Sequence, residues 1–238
     1  MKREAIFLIL FFSTLAIAIP GPQPANATKD TNESYGGYST NYNYTPAGGA
    51  ETNYDLVSSM QSQAWAGFYG NLSAFVVLKD LSGDTFHSWS PATVTGTVYA
   101  TTSSNPDWAS VNNDISASTV DELWDFGDWS DNASSSFTAN ANTEFSIGTG
   151  LGSVTIAANT RDKLNTNTAG APSSGIFEEV LLSDSAAPSK QNIIFTCIMD
   201  GLQTAFDSQS TAHFQLLVPN NQVNATQTDS YYFYTQIN

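Results

Sequence analysis

Cations are scarce in this sequence: seven lysines and arginines stand against 22 aspartates and glutamates in 238 residues, a formal charge of −15. No basic patch able to neutralise a run of phosphates can be built from so few, so nucleic acid is excluded as a partner. Cysteine is nearly absent. The single thiol, Cys197, rules out an intramolecular disulfide framework and a cysteine-based zinc knuckle. Histidine occurs only at His87 and His213, and each sits beside a phenylalanine in a strand-like stretch, which reads as an exposed strand histidine. Only 12% of residues are charged, while 41% are hydrophobic and 12% aromatic. Such a chain is too apolar to be disordered and long enough for one sizeable core.

Catalytic signatures are missing as well. No G-x-S-x-G elbow, H-E-x-x-H pair or P-loop occurs. Glu178 and Glu179 are adjacent on a strand and so point to opposite faces, the wrong arrangement for two carboxylates sharing a substrate. Cys197, within Ile193-Ile194-Phe195-Thr196-Cys197-Ile198-Met199, reads as an inert core thiol, because apolar surroundings raise its pKa. The expectation is a protein that is not an enzyme.

Only one long hydrophobic run is present, from Ala5 to Ile19. Lys2 and Arg3 precede it and Ala25-Asn26-Ala27 follows it. A basic start, an apolar centre of that length and an A-x-A site make a secretory signal peptide over residues 1–27. The run is shorter than the ~20 residues of a membrane span. No second span and no leader cysteine for a lipid anchor are found, so the expected product is secreted and extracellular or held at the cell surface. Sequons at Asn32, Asn43, Asn71, Asn132 and Asn224 are candidate glycosylation sites. Export without disulfides, together with a strongly acidic composition, fits an archaeal or otherwise extreme-environment exoprotein better than a eukaryotic one.

Residues 28–50 are polar and Gly-punctuated, which predicts a flexible N-terminal tail. Tyrosines interrupt it, and Tyr42 and Tyr44 alternate with polar residues at a strand's period of two. From Asn53 to Ala66 the apolar positions Leu56, Val57, Met60 and Ala64 predict a helix capped by Asn53. Strands are predicted at 75–78, 85–89 and 93–100, the last with one small, buried face and one Thr/Tyr-rich face. A short helix capped by Ser118, with Asp121 and Glu122 in its first turn, is predicted up to Trp124. Further strands are predicted around Phe145–Ile147, Val154–Ile156, Ile176–Leu182, Ile193–Met199, Phe214–Val218 and Tyr231–Ile237. Eight to ten strands with one or two short helices predict a mainly β chain: an antiparallel β-sandwich or jelly-roll-like single domain over 51–238.

Ala64-Trp65-Ala66-Gly67-Phe68-Tyr69-Gly70-Asn71, Phe177 to Asp184, Phe214 to Pro219 and Tyr231-Tyr232-Phe233-Tyr234 resemble blocks of secreted archaeal cell-surface β-sandwich proteins. The resemblance spans most of residues 54–238 and implies a structural role with no catalytic residue. An exported sandwich with a polar N-terminal tail is also similar in architecture to matrix-pilus subunits that assemble by strand donation. That likeness implies assembly through the tail, with Tyr38, Tyr42 and Tyr44 as the donor side chains.

One dense acidic and aromatic cluster runs from Asp121 to Asn132. It reads first as a solvated acidic loop. Asp125, Asp128 and Asp131 recur every third residue around Gly127, so a second reading is a Ca²⁺ site of hard oxygen ligands; no other cofactor is expected. Trp124 and Trp129 would either stack on sugar rings or pack the loop onto the core. The leading functional expectation is a secreted structural subunit of a filament, matrix or surface layer, joined to copies of itself or to other surface proteins. The alternative is an extracellular carbohydrate-binding or adhesion module whose partners are glycans.

Overall fold

The structure, a computed structural model, describes residues 22–25, 38–44, 50–62, 64–79, 85–89, 93–149, 152–166, 176–206, 210–220 and 229–237. Along the chain, β1 (Gln23–Ala25), β2 (Tyr38–Tyr44), β3 (Ala50–Gln61), β4 (Trp65–Lys79), β5 (Thr85–Trp89) and β6 (Thr95–Thr101) come first. Helices α1 (Ala117–Trp124) and α2 (Ala133–Ser136) follow, then β7 (Phe145–Gly148), β8 (Ser153–Ile156) and β9 (Lys163–Thr166). The chain ends in β10 (Phe177–Ser183), β11 (Ile193–Asp200), β12 (Gln203–Thr204), β13 (Thr211–Ala212), β14 (Phe214–Pro219) and β15 (Tyr232–Ile237). The fold is mainly β and antiparallel, with two short helices, and it does not close into a barrel.

Six strands form the main sheet in the order β1-β15-β6-β11-β10-β9. A second sheet runs β14-β4-β3-β2, with β5 paired to the far half of β4. The central strands of the main sheet read as near-continuous apolar runs because both of their faces are covered. On one face Val98, Ala100, Phe177, Leu181, Phe195, Cys197 and Phe233 pack against Trp65, Phe214, Leu216 and the two helices. On the other, Tyr99, Val180, Leu182, Ile194 and Tyr234 are covered by Ile147 and Ile156 of the β7–β8 hairpin and by Val111 and Trp108. Each fully buried aliphatic or aromatic side chain contributes about 1.5–3 kcal/mol, so this double cover is the main source of stability. Most of the Thr/Tyr face of β6 is therefore dry as well: Thr97, Tyr99 and Thr101 are buried, and Thr95 at its start is half-buried.

The helix predicted over residues 53–66 is overturned. Residues 50–61 are a strand, paired with β2 on one side and β4 on the other, and β4 begins at Trp65. The segment is rich in Asn, Thr, Ser and Tyr, which hold a helix weakly, and two flanking strands offer every backbone group a ladder. The second helix is where the sequence puts it, but Ser116 rather than Ser118 is its cap, accepting from the Thr119 N–H. That start leaves no acid in the first turn of α1. Asp121 turns instead to α2, where it accepts from the Ala133 and Ser134 N–H groups at 2.6 and 3.0 Å.

Candidate functional site

The acidic cluster is not a gathered ligand set. Asp125 closes α1 in the left-handed region (φ 56°) and is exposed, as is Asp128. Asp131 points inward, its Oδ2 accepting from the Ala64 N–H at 2.9 Å, while its carbonyl accepts from the Trp65 indole at 2.5 Å. No group of three His, Cys, Asp or Glu side chains among the described residues is placed to hold a metal. A spacing of three along a turn brings the aspartates near in sequence but does not aim them at one point. The tryptophans are committed too. Trp124 is buried edge-on against Phe195, with its indole N–H donated to Asp229 at 3.1 Å. Trp129 is half-buried and stacks on Phe126 at 5.7 Å. Both indoles pack the loop against core aromatics, Trp124 on Phe195 and Trp129 on Phe126.

Buried polar groups elsewhere tie loops together. Asn142 accepts from the Thr160 and Arg161 N–H groups at 2.8 and 2.7 Å and donates to the carbonyls of Thr143 and Ala157 at 2.7 and 3.0 Å. Asp162 accepts from the Ala117 N–H at 2.8 Å, at the start of α1, and from the Asn140 N–H at 3.1 Å. Glu178 accepts from the Thr143 N–H at 2.6 Å and pairs with Lys163 at 3.2 Å.

Glu179 faces the other way, into the core, where it is fully buried. Its Oε2 accepts from the Leu217 N–H of β14 at 2.7 Å, while Oε1 has no hydrogen-bond partner. Desolvation lifts its pKa well above the ordinary carboxyl value, so the group keeps its proton. Cys197, its partner across β10 and β11, is likewise pushed up by burial, and the Gln215 main chain hydrogen-bonds its sulfur. The outer edge of β14 thus meets a carboxyl at Leu217, a sulfur at Gln215 and ends in Pro219, which has no N–H to offer. These contacts tie the outer edge of β14 to β10 and β11 of the main sheet. The sequence carried a signal for them: Glu179 takes the inward place between Phe177 and Leu181.

His213 makes another such tie. Its Nδ1 accepts from the Leu72 N–H at 3.2 Å, and burial lowers its pKa. His87 is exposed on β5, edge-on to Trp89 at 4.5 Å, beside a Phe86 that is 85% exposed. An open hollow of about 280 Å³ lies between β9 and the second sheet, lined by Phe68, Tyr69, Leu164, Phe206, Gln215 and Leu217. Its lining carries no charged side chain; its polar groups are the Tyr69 and Thr166 hydroxyls and the Asn165 and Gln215 amides.

Of the sequons, Asn132 caps α2, its side chain accepting from the Ser135 N–H at 2.8 Å and donating to the Gly127 carbonyl at 3.1 Å. Asn71 is half-buried in β4, and Asn43 lies in β2. Asn32 and Asn224 lie outside the described residues.

What the fold does present is strand edges. Tyr38 to Tyr44, including Tyr42, form β2, paired with β3 over all seven residues from Tyr38↔Ser58 to Tyr44↔Thr52. On its other side β2 has no strand partner among the described residues. At the far end of the main sheet, β1 lies along β15. Comparison with protein-family models, with curated proteins and with solved structures found no match.

Proposed function

We propose that this chain is a secreted structural subunit of an extracellular filament, matrix or surface layer, and that it assembles by β-strand addition. The observation that carries the reading is β2: a seven-residue, uncharged strand at the end of a sheet, with one side unpaired among the described residues. An unpaired edge presents a row of N–H and C=O groups that another chain can complete. The exposed Phe86 and Trp89 of β5 add apolar surface on the same sheet. The leader over residues 1–27 supplies the route outside.

The reading is tested by electron microscopy of the processed chain, residues 28–238, beside the same chain lacking residues 28–50. The processed chain is expected to form fibres or sheets, and the shortened one to stay folded by circular dichroism but dispersed. A shortened chain that polymerises with the same subunit spacing overturns strand addition by this segment.

A further inference from the structure

Strand β1 ends two residues before Ala27. It pairs antiparallel with β15 in the register Gln23↔Thr235, Pro24↔Tyr234 and Ala25↔Phe233. A cut after Ala27 therefore takes all of β1 away with the leader and strips one edge of the main sheet. Among the described residues no other strand covers that edge. β15 reads Tyr232-Phe233-Tyr234-Thr235-Gln236-Ile237, without a charge, a proline or a bulge, the devices by which natural edges discourage pairing. The contrast with β14, ended by Pro219 and met by Glu179 and Cys197, is direct.

We infer that removal of the leader turns β15 into an acceptor edge, and that its occupant is the Tyr38–Tyr44 strand of a second copy. This rests on the reading of the chain as a secreted, strand-adding subunit. Length favours the exchange: β1 covers three residues of β15 and carries Pro24 at its centre, whereas β2 has seven residues and no proline, against six in β15. Charge favours it too. In a chain of net −15, β2 and β15 are both free of charged residues, so two copies can meet there with little local repulsion. Because β2 is already extended on β3, its free side can dock without unfolding. The second sheet of one copy then continues into the main sheet of the next. The joint is head-to-tail and open, so it propagates. The unprocessed chain carries its own cap, which holds assembly back until export.

The test uses the full chain with a site-specific protease sequence inserted after Ala27, kept in a detergent that disperses the Ala5–Ile19 run. Tyr232, which is 45% exposed, is replaced by the photo-cross-linker benzoylphenylalanine, and ¹⁴N- and ¹⁵N-labelled chains are mixed. After cutting, mass spectrometry is expected to find Tyr232 joined to the 38–44 peptide of the other isotope, at least tenfold above the uncut sample. Amide hydrogen exchange of Phe233–Thr235 should rise on cutting in dilute solution and fall again on assembly. Polymers that form equally before and after the cut, or that lack this cross-link, overturn the inference and leave the structural-subunit reading standing. A cut chain that stays monomeric at every concentration overturns both.

Discussion

Glu179 is the residue whose environment departs furthest from its chemistry. Because the native carboxyl keeps its proton while the unfolded one releases it near the ordinary value of 4.5, the folded state binds more protons above that pH. Stability from this group is full below about pH 4.5 and is lost as pH rises. Glu179→Gln keeps an acceptor for the Leu217 N–H and cannot ionise. It is expected to flatten the fall in stability between pH 5 and 8, measured by urea unfolding, and to exceed the parent at the upper end. Parallel curves for parent and variant would contradict the assignment. Glu179→Ala leaves the Leu217 N–H without its acceptor and should cost about 1–3 kcal/mol below about pH 4.5, and less as pH rises and the parent loses the contribution of its protonated carboxyl. Asn142→Ala orphans the Thr160 and Arg161 N–H groups together, and a comparable loss for each is expected in the same assay. The sequence reveals that Glu178 and Glu179 part to opposite faces, since alternation alone requires it. It does not reveal where Asp131 points, because direction at a turn is set by the Ala64 and Trp65 groups brought to it from 67 and 66 residues away.

At the scale of elements, legibility follows burial. Strands β10, β11, β14 and β15 stand out as apolar runs of strand length because each is covered on both sides or seated on a covered sheet. β3 is hidden for the opposite reason: its apolar residues are few, and three of them, Leu56, Val57 and Met60, fall with Ala64 beyond its end on a helical period by chance of spacing. Pairing with β2 and β4, which no local pattern encodes, decides its state. Gly96 on β6 shows a constraint of the same kind. Its φ is +146°, and a Cβ there would lie 2.0 Å from the Gln236 carbonyl oxygen of β15. Gly96→Ala must either push β15 away or abandon that backbone conformation. Overpacking alone costs about 1–3 kcal/mol, and the strained φ adds to it. A lowered urea midpoint with faster amide exchange in Gln236 and Ile237 is expected, and an unchanged midpoint would show that β15 is not held this closely.

The whole molecule is governed by its charge. Cleavage after Ala27, as proposed, would remove two cations and one anion and move the net charge from −15 to −16; either way, every copy repels every other. The ion pairs among the described residues, Arg161–Asp114, Lys163–Glu178 and Lys190–Asp229, are internal and leave most of the acid unpaired. If copies join through the uncharged β2 and β15, the contact itself gains nothing from opposite charges, and salt acts only on the repulsion around it. Screening shortens the reach of that repulsion from about 30 Å at 0.01 M to about 3 Å at 1 M. Assembly of the processed chain at pH 7, followed by light scattering, is therefore expected to become faster and more complete as sodium chloride rises across that range. Lowering the pH towards the pI of about 4.1 should act in the same direction by neutralising carboxylates. The opposite response, assembly that weakens with salt, would mean that subunits are held by complementary charges, and it would move the interface away from the two strand edges.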